Sequence, residues 1–178
     1  MPSETPVPPK RKINIELLLS LSATFLSLAA LIVSVFQTKI AREQQHASVW
    51  PYIAQIQSSG KDSYQFYLEN KGVGPSIIKS VEWEFGDNKY DTGRDFFKAE
   101  VSKSFKGVGT SSLDKGAVFK DGETLSLIGV WNNDSLGRVL FNKLDDKAFN
   151  LRIVYSDVYG NCWERNNGEV KELKNCTE

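Results

Sequence analysis

The chain has 178 residues, and 22 Lys+Arg balance 22 Asp+Glu to a formal net charge of zero. That neutrality leaves no electrostatic footprint for nucleic acid, and none is expected as a partner. A single histidine and two cysteines are too few soft ligands for an ordinary zinc site, so no metal is expected, and no other cofactor.

Residues 1–12 open with PSETPVPP, whose prolines predict a disordered tail. Residues 13–36 are expected to form a transmembrane helix. Their run LLLSLSATFLSLAALIVSVF (17–36) carries no charge and, at ~1.5 Å per residue, is long enough to cross about 30 Å of hydrocarbon. A cleaved signal peptide has a shorter apolar region followed by small residues, whereas Phe36, Gln37, Thr38 and Lys39 follow here. An uncleaved anchor is therefore expected. Lys10, Arg11 and Lys12 precede the span, and Lys39 and Arg42 follow it, a slight bias toward a cytoplasmic N-terminus.

Within the span, Ser20, Ala23, Ser27, Ala30 and Ser34 recur at alternating spacings of three and four, while Leu18, Leu21, Phe25, Leu28, Ile32 and Val35 follow the same rhythm on another face. Small residues let helix backbones approach in lipid, so the small face is the expected seam of a homo-oligomer. The spacing continues through Gln37, Ala41, Gln44 and Ser48 into a helical stalk, 37–48, which Pro51 ends. His46 lies on the stalk, expected as a solvated residue.

From residue 49 to 178 the pattern becomes that of a β-rich domain. Strands are expected at Val49–Gln57, Ser63–Asn70, Ile77–Phe85, Thr124–Trp131 and Phe149–Ser156, with shorter ones at Lys89–Asp91 and Val170–Leu173. The periodicity breaks at 94–104, expected as a short helix; 106–117 reads as loop, and Asp134–Leu144 as a second helical piece. An insertion between strands is the first place to seek a binding surface. Several short strands with glycine punctuation suggest a sandwich or barrel. Trp50, Trp83, Trp131 and Trp163 fall one per β segment, which suits core anchors, with a carbohydrate platform as the rival.

Cys162 and Cys176 form the candidate disulfide. Closing about 15 residues, it contributes roughly 3 kcal/mol in the chain-entropy model and implies an oxidising compartment; two free cytosolic thiols are the alternative. WERNNGEVKELKN between them turns back at Asn166-Asn167-Gly168. Catalysis is not expected: a hydrolytic triad would have to use His46, and Asp145-Asp146 read as solvated turn residues. The turn motif Asn70, Gly72, Gly74, Pro75 lacks the Lys-Ser/Thr pair and following helix of a phosphate loop.

Two resemblances attach to these residues. NKGVGPSIIKSVEW (70–83) and DGETLSLIGVW (121–131) resemble the strand–turn–strand pattern of bacterial immunoglobulin-like adhesion modules, the matching positions being Asn70, Gly72, Gly74, Pro75, Gly122 and Glu123. The helix expected after Gly93 departs from a simple module of that kind. The whole layout, with SVWPY (48–52), NKGVGP and YSDVYGNCW (155–163), is similar to an uncharacterised family of small bacterial single-pass membrane proteins. The resemblance implies a mainly β fold: an N-terminal membrane helix and stalk, then an immunoglobulin-like β-sandwich with one or two short helical insertions.

The expected function is a non-catalytic interaction or scaffold module in a bacterial inner membrane, its C-terminal domain in the periplasm, with the lipid bilayer, its own copies and an unknown protein or small molecule as partners. The competing expectation is a cytosolic effector of defence type, whose β domain binds a small signal and whose helices perturb the membrane.

Overall fold

A computed structural model describes residues 14–176; the tail 1–12 expected to be disordered lies outside the described residues, with the first residue of the expected membrane segment and the last two of the domain. The chain divides into two compact units, Met1–Gln44 and Gln45–Glu178.

The first unit holds most of α1, a single continuous helix Ile15–Ala47 that covers the expected span and stalk without a break. None of its residues is buried. Its mean hydropathy reaches 2.2, and it is the one helix among the described residues long and apolar enough to cross a membrane. Ser20, Ser22, Thr24 and Thr38 donate their hydroxyls to carbonyls three or four residues back at 2.9–3.0 Å, so these side chains need no water.

The second unit is built on ten strands: β1 (Ile53–Gly60), β2 (Ser63–Asn70), β3 (Ser76–Phe85), β4 (Asn88–Tyr90), β5 (Val108–Thr110), β6 (Val118–Phe119), β7 (Thr124–Trp131), β8 (Phe149–Ser156), β9 (Cys162–Asn166) and β10 (Glu169–Leu173), with α2 (Gly93–Glu100) and α3 (Asp134–Leu144) between them. They form two antiparallel sheets, ordered β1-β2-β7-β5 and β10-β9-β8-β3-β4, with β6 pairing β3. The period-two alternation of β2 buries Tyr64, Phe66, Leu68 and Asn70; that of β8 buries Leu151, Ile153 and Tyr155. These faces share one core, and the rings of Trp83 and Phe149 stand 5.9 Å from Phe66 of the other sheet.

Both helices start on side-chain caps. Thr92 Oγ1 accepts from the Asp95 amide and Asn133 Oδ1 from the Leu136 amide, each at 3.1 Å, which satisfies donors left free in a first turn. Helix α2 buries Phe96 and Phe97; α3 buries Gly137, Leu140 and Leu144. Glu100 ties these elements together, accepting from Tyr90 Oη at 2.5 Å and pairing with Lys143 Nζ at 3.1 Å. The Tyr90 hydrogen bond, opposed by burial and aided by Lys143, holds the Glu100 carboxyl below its ordinary value. A depressed acid stabilises the fold above its unfolded pKa and loses that contribution as pH falls through the folded one. The urea midpoint of the domain is therefore expected to drop as pH falls below about 4.5, and Glu100→Gln is expected to flatten part of that slope.

Several boundaries differ from the sequence reading. The first strand begins at Ile53, not Val49, because Pro51 has no N–H for the ladder and the 71–74 loop occupies this stretch: Val73 N donates to Trp50 O and Lys71 N to Tyr52 O. The region read as loop contains β5, which pairs with β7. Strand β9 is the outgoing arm of the hairpin expected through Asn166-Asn167-Gly168; its inward positions, Trp163 and the charged Arg165, hide the apolar alternation that would have set its bounds. Only Trp83 and Trp163 are core residues, at 3% and 8% exposure; Trp50 and Trp131 are 44% and 39% exposed. Trp131 falls on the outward parity of β7, where Gly109 and Gly129 leave room for its ring.

Candidate functional site

The residues singled out by sequence serve separate parts of the molecule. The small residues Ser20, Ala23, Ser27, Ala30 and Ser34 lie exposed along α1. Cys162 and Cys176 are joined by a disulfide with Cα atoms 5.3 Å apart, on the outward parity of β9, where Cys162 is the register partner of Leu173.

Asn70 is fully buried and organises the turn motif. Its Oδ1 accepts from the amides of Tyr52 and Gly72, both at 3.1 Å. Its Nδ2 donates to Gly74 O at 2.9 Å and Phe119 O at 3.1 Å. Gly72 and Gly74 lie so close to the Trp50–Tyr52 and Val49 backbones that a Cβ at either would collide with them. The Asn70 carboxamide thus spends both its polar atoms on the protein's own backbone. A comparable device shapes YSDVYGNCW: the Asp157 carboxylate accepts from the amides of Tyr159 and Asn161 at 2.8 and 2.9 Å. His46 is exposed, yet its Nδ1 stands 3.0 Å from Asn161 Nδ2 and its ring 4.8 Å from that of Tyr159.

The insertion after β4 borders a cavity of about 340 Å³ between Asp91–Gly93, Ser111–Lys115 and Lys79–Trp83. Its charged groups, Lys79, Glu82, Asp91, Asp114 and Lys115, carry both signs and select no one ligand.

A second region, which sequence reasoning passed over, lies along the inward face of β1. Register with β2 puts Ile53, Gln55, Gln57 and Ser59 on the parity of the buried Asn70, Leu68, Phe66 and Tyr64. The strand therefore presents amides and a hydroxyl where a core strand presents apolar groups, a signal visible in IAQIQSSG. Gln55 Nε2 donates to Leu151 O at 3.1 Å, and Tyr64 Oη donates to Gln57 Oε1 at 2.7 Å. Around these bonds lie two cavities. One, of about 360 Å³, is bordered by Gln55, Gln57, Leu144 and Phe149. The other, of about 320 Å³, is bordered by Ser59, Ser63, Tyr64, Gly137 and Phe141.

Helix α3 walls the second cavity and reaches the first only at Leu144, where Phe149–Leu151 of β8 and the Asn167–Gly168 turn form the rest of the border. Gly137 brings it down onto the Cβ of Tyr64, and the partly exposed Phe141 ring meets Tyr64 edge-on at 6.0 Å. Burial, and secondarily the charge of Asp145, push the Tyr64 hydroxyl pKa up, so it stays a neutral donor. The charges at the rim, Asp134 and Arg138, pair with each other at 2.8 Å. The cleft therefore offers aromatic surface and neutral hydrogen-bonding groups, with Lys147 as a further charge on the border of the first cavity.

At the start of β1, Arg165 reaches across from the other sheet and donates to Ile53 O at 3.2 Å. Arg165 is 7% exposed, and desolvation lowers its pKa against the favourable effect of the Tyr52 and Tyr155 hydroxyls. Burial pushes Tyr155 up to about 12. Among the described residues no group of three or more His, Cys, Asp or Glu is placed to hold a metal ion.

These features define a β-rich domain of two antiparallel sheets preceded by one helix long and apolar enough to cross a membrane. No protein-family model, curated protein or solved structure matches the chain.

Proposed function

We propose that the chain is a membrane-anchored, non-catalytic interaction module: α1 holds it in a bacterial inner membrane, associates with copies of itself, and carries an immunoglobulin-like sandwich in the periplasm. The observation that carries this reading is the surface of α1, an apolar helix with no buried residue. A helix hydrophobic all round must find an apolar environment, and the bilayer supplies it. The disulfide favours an oxidising compartment for the domain.

Strand order favours the immunoglobulin-like assignment. If β1, β2, β5 and β7 are labelled A, B, D and E, the first sheet is ABED; with β3, β8 and β9 as C, F and G, the second contains CFG, the two sheets of the constant-type module. Here α2 falls between β4 and β5, α3 between β7 and β8, and β10 adds an edge after β9.

The full-length chain is expected to stay with vesicles through alkaline carbonate extraction, with its N-terminal segment intact by mass. A C-terminal alkaline phosphatase fusion is expected to be active and a green fluorescent fusion dark. Release from the vesicles, or a chain trimmed of its apolar segment, overturns the anchor; the reverse fusion pattern moves the domain to the cytosol, where the sensor-effector reading belongs. For self-association, Ser27→Leu with Ala30→Leu is expected to weaken in-membrane crosslinking by the equivalent of about 1–2 kcal/mol. An unchanged oligomer removes the small-residue seam from the proposal.

A further inference from the structure

Exposed sheet edges pair with other strands unless they are short, charged, bulged or covered. In the first sheet β5 is three residues long. In the second, β6 has two residues and β4 three with Lys89 among them, while β10 carries Glu169, Lys171 and Glu172. Beyond Ile53, whose carbonyl Arg165 caps, strand β1 has none of these protections. It is eight residues long, reads IAQIQSSG without a charge or proline, keeps an unbroken register with β2 and, among the described residues, pairs with no other strand.

The direction of its free groups follows from the ladder. Asn70, partner of Ile53, turns its own N–H and C=O away from β1, to Glu123 O and Gly122 N. Ile53 therefore faces the open side, and Arg165 takes its carbonyl there. By the alternation of an antiparallel pair, Gln55, Gln57 and Ser59 turn their backbone groups to the same open side. Beneath that edge lie the two cavities flanking the Gln57–Tyr64 bond.

We infer that the β1 edge is a strand-addition site: an extended peptide of a partner protein pairs with Gln55–Ser59 and sets alternate side chains, none of them basic and at least one apolar, into the two cavities beside β1, one against α3 and the other against β8 and the Asn167–Gly168 turn. Backbone hydrogen bonds supply affinity in such complexes and pockets for every second side chain supply selectivity. One cavity borders Gln55 and Gln57 and the other Ser59, so a peptide in register with β1 turns alternate side chains, ~7 Å apart on one face, toward one and then the other. The β1 edge carries no charge and the Asp134–Arg138 rim is self-paired, while Lys147 borders the other cavity, so the lining disfavours a basic segment. A second copy of β1 fits less well: each strand would keep Gln55 and Gln57 over its own cleft, bonded as they are, and fill neither cavity.

This inference rests on reading the domain as an interaction module. Its test uses full-length chain in detergent micelles, so it stands or falls separately from membrane anchoring, which the carbonate extraction addresses. Phage-displayed random linear peptides are the probe, and the most enriched sequence is then synthesised. N-methylation at every second backbone nitrogen is expected to raise its Kd about tenfold or more, with methylation at the intervening nitrogens leaving binding unchanged. Gln57→Pro, which removes an edge N–H, is expected to abolish binding, its fold checked by thermal melting. The peptide-side variants keep the question answerable if that substitution unfolds the domain. No enrichment, an N-methyl scan without alternation, or peptide-independent crosslinking of Ser58→Cys chains to one another through that cysteine overturns the assignment, the last in favour of a second copy.

Discussion

Replacing Asn70 with alanine is expected to lower the unfolding free energy of the domain by about 3–5 kcal/mol, a large fraction of what a domain of this size has. The carboxamide of Asn70 satisfies four backbone groups, the amides of Tyr52 and Gly72 and the carbonyls of Gly74 and Phe119, from three separate stretches of chain. A net hydrogen bond is worth about 1 kcal/mol, but a buried group left without a partner costs about 1–3 kcal/mol. Alanine leaves up to four, relieved only where the 71–74 loop lifts and admits water. Asn70→Asp keeps the shape and the acceptor for Tyr52 and Gly72 but turns a carboxylate oxygen toward two carbonyls, so it is expected to destabilise as well, less in acid than at neutral pH. Urea titration followed through the buried Trp83 and Trp163 measures both. A loss under about 1 kcal/mol for alanine would show that these bonds are replaceable by solvent.

The legibility of this molecule from its sequence divides along physical lines. Where one face of an element is apolar and the other wet, periodicity was enough: β2, β7, β8 and α3 run exactly where alternation, or helical spacing, placed them. Where the inward side chain is polar, periodicity failed. Arg165 hid the alternation and the bounds of β9, and Gln55 and Gln57 made β1 look unexceptional although they mark the cleft. Boundaries set by distant backbone were equally invisible. Nothing local to Val49–Tyr52 says that a loop from residues 71–74 will occupy its carbonyls. Asn70 was noticed as a turn residue, yet its reach to Phe119 depends on the second sheet lying behind it. The reverse turn at Asn167-Gly168 was legible, since both residues take the positive φ, 48° and 82°, that a tight two-residue hairpin requires.

Opening the Cys162–Cys176 bond carries the second large effect, an expected loss of about 3 kcal/mol, or roughly 10 °C in Tm. The cysteines are 14 apart in sequence, and the bond ties the segment after β10 back to the first residue of β9. The β9–β10 hairpin is already closed at its turn; the disulfide closes the other end, so the unfolded chain loses the freedom of the intervening loop. Cys176→Ser is the cleaner variant, because Cys162 is 3% exposed and a serine there also buries a hydroxyl. Cys162→Ser with Cys176→Ser is expected to cost scarcely more than the dearer single change, since either alone removes the bond. Dithiothreitol should lower the melting temperature of the natural chain and leave both variants unmoved. The damage should also be local: β10 is an edge strand rich in exposed charge, so amide exchange at Glu169–Leu173 is expected to rise while Ile153 and Arg165, paired between β8 and β9, stay protected. Equal loss of protection in β8 would mean that the bond holds the whole second sheet rather than its edge.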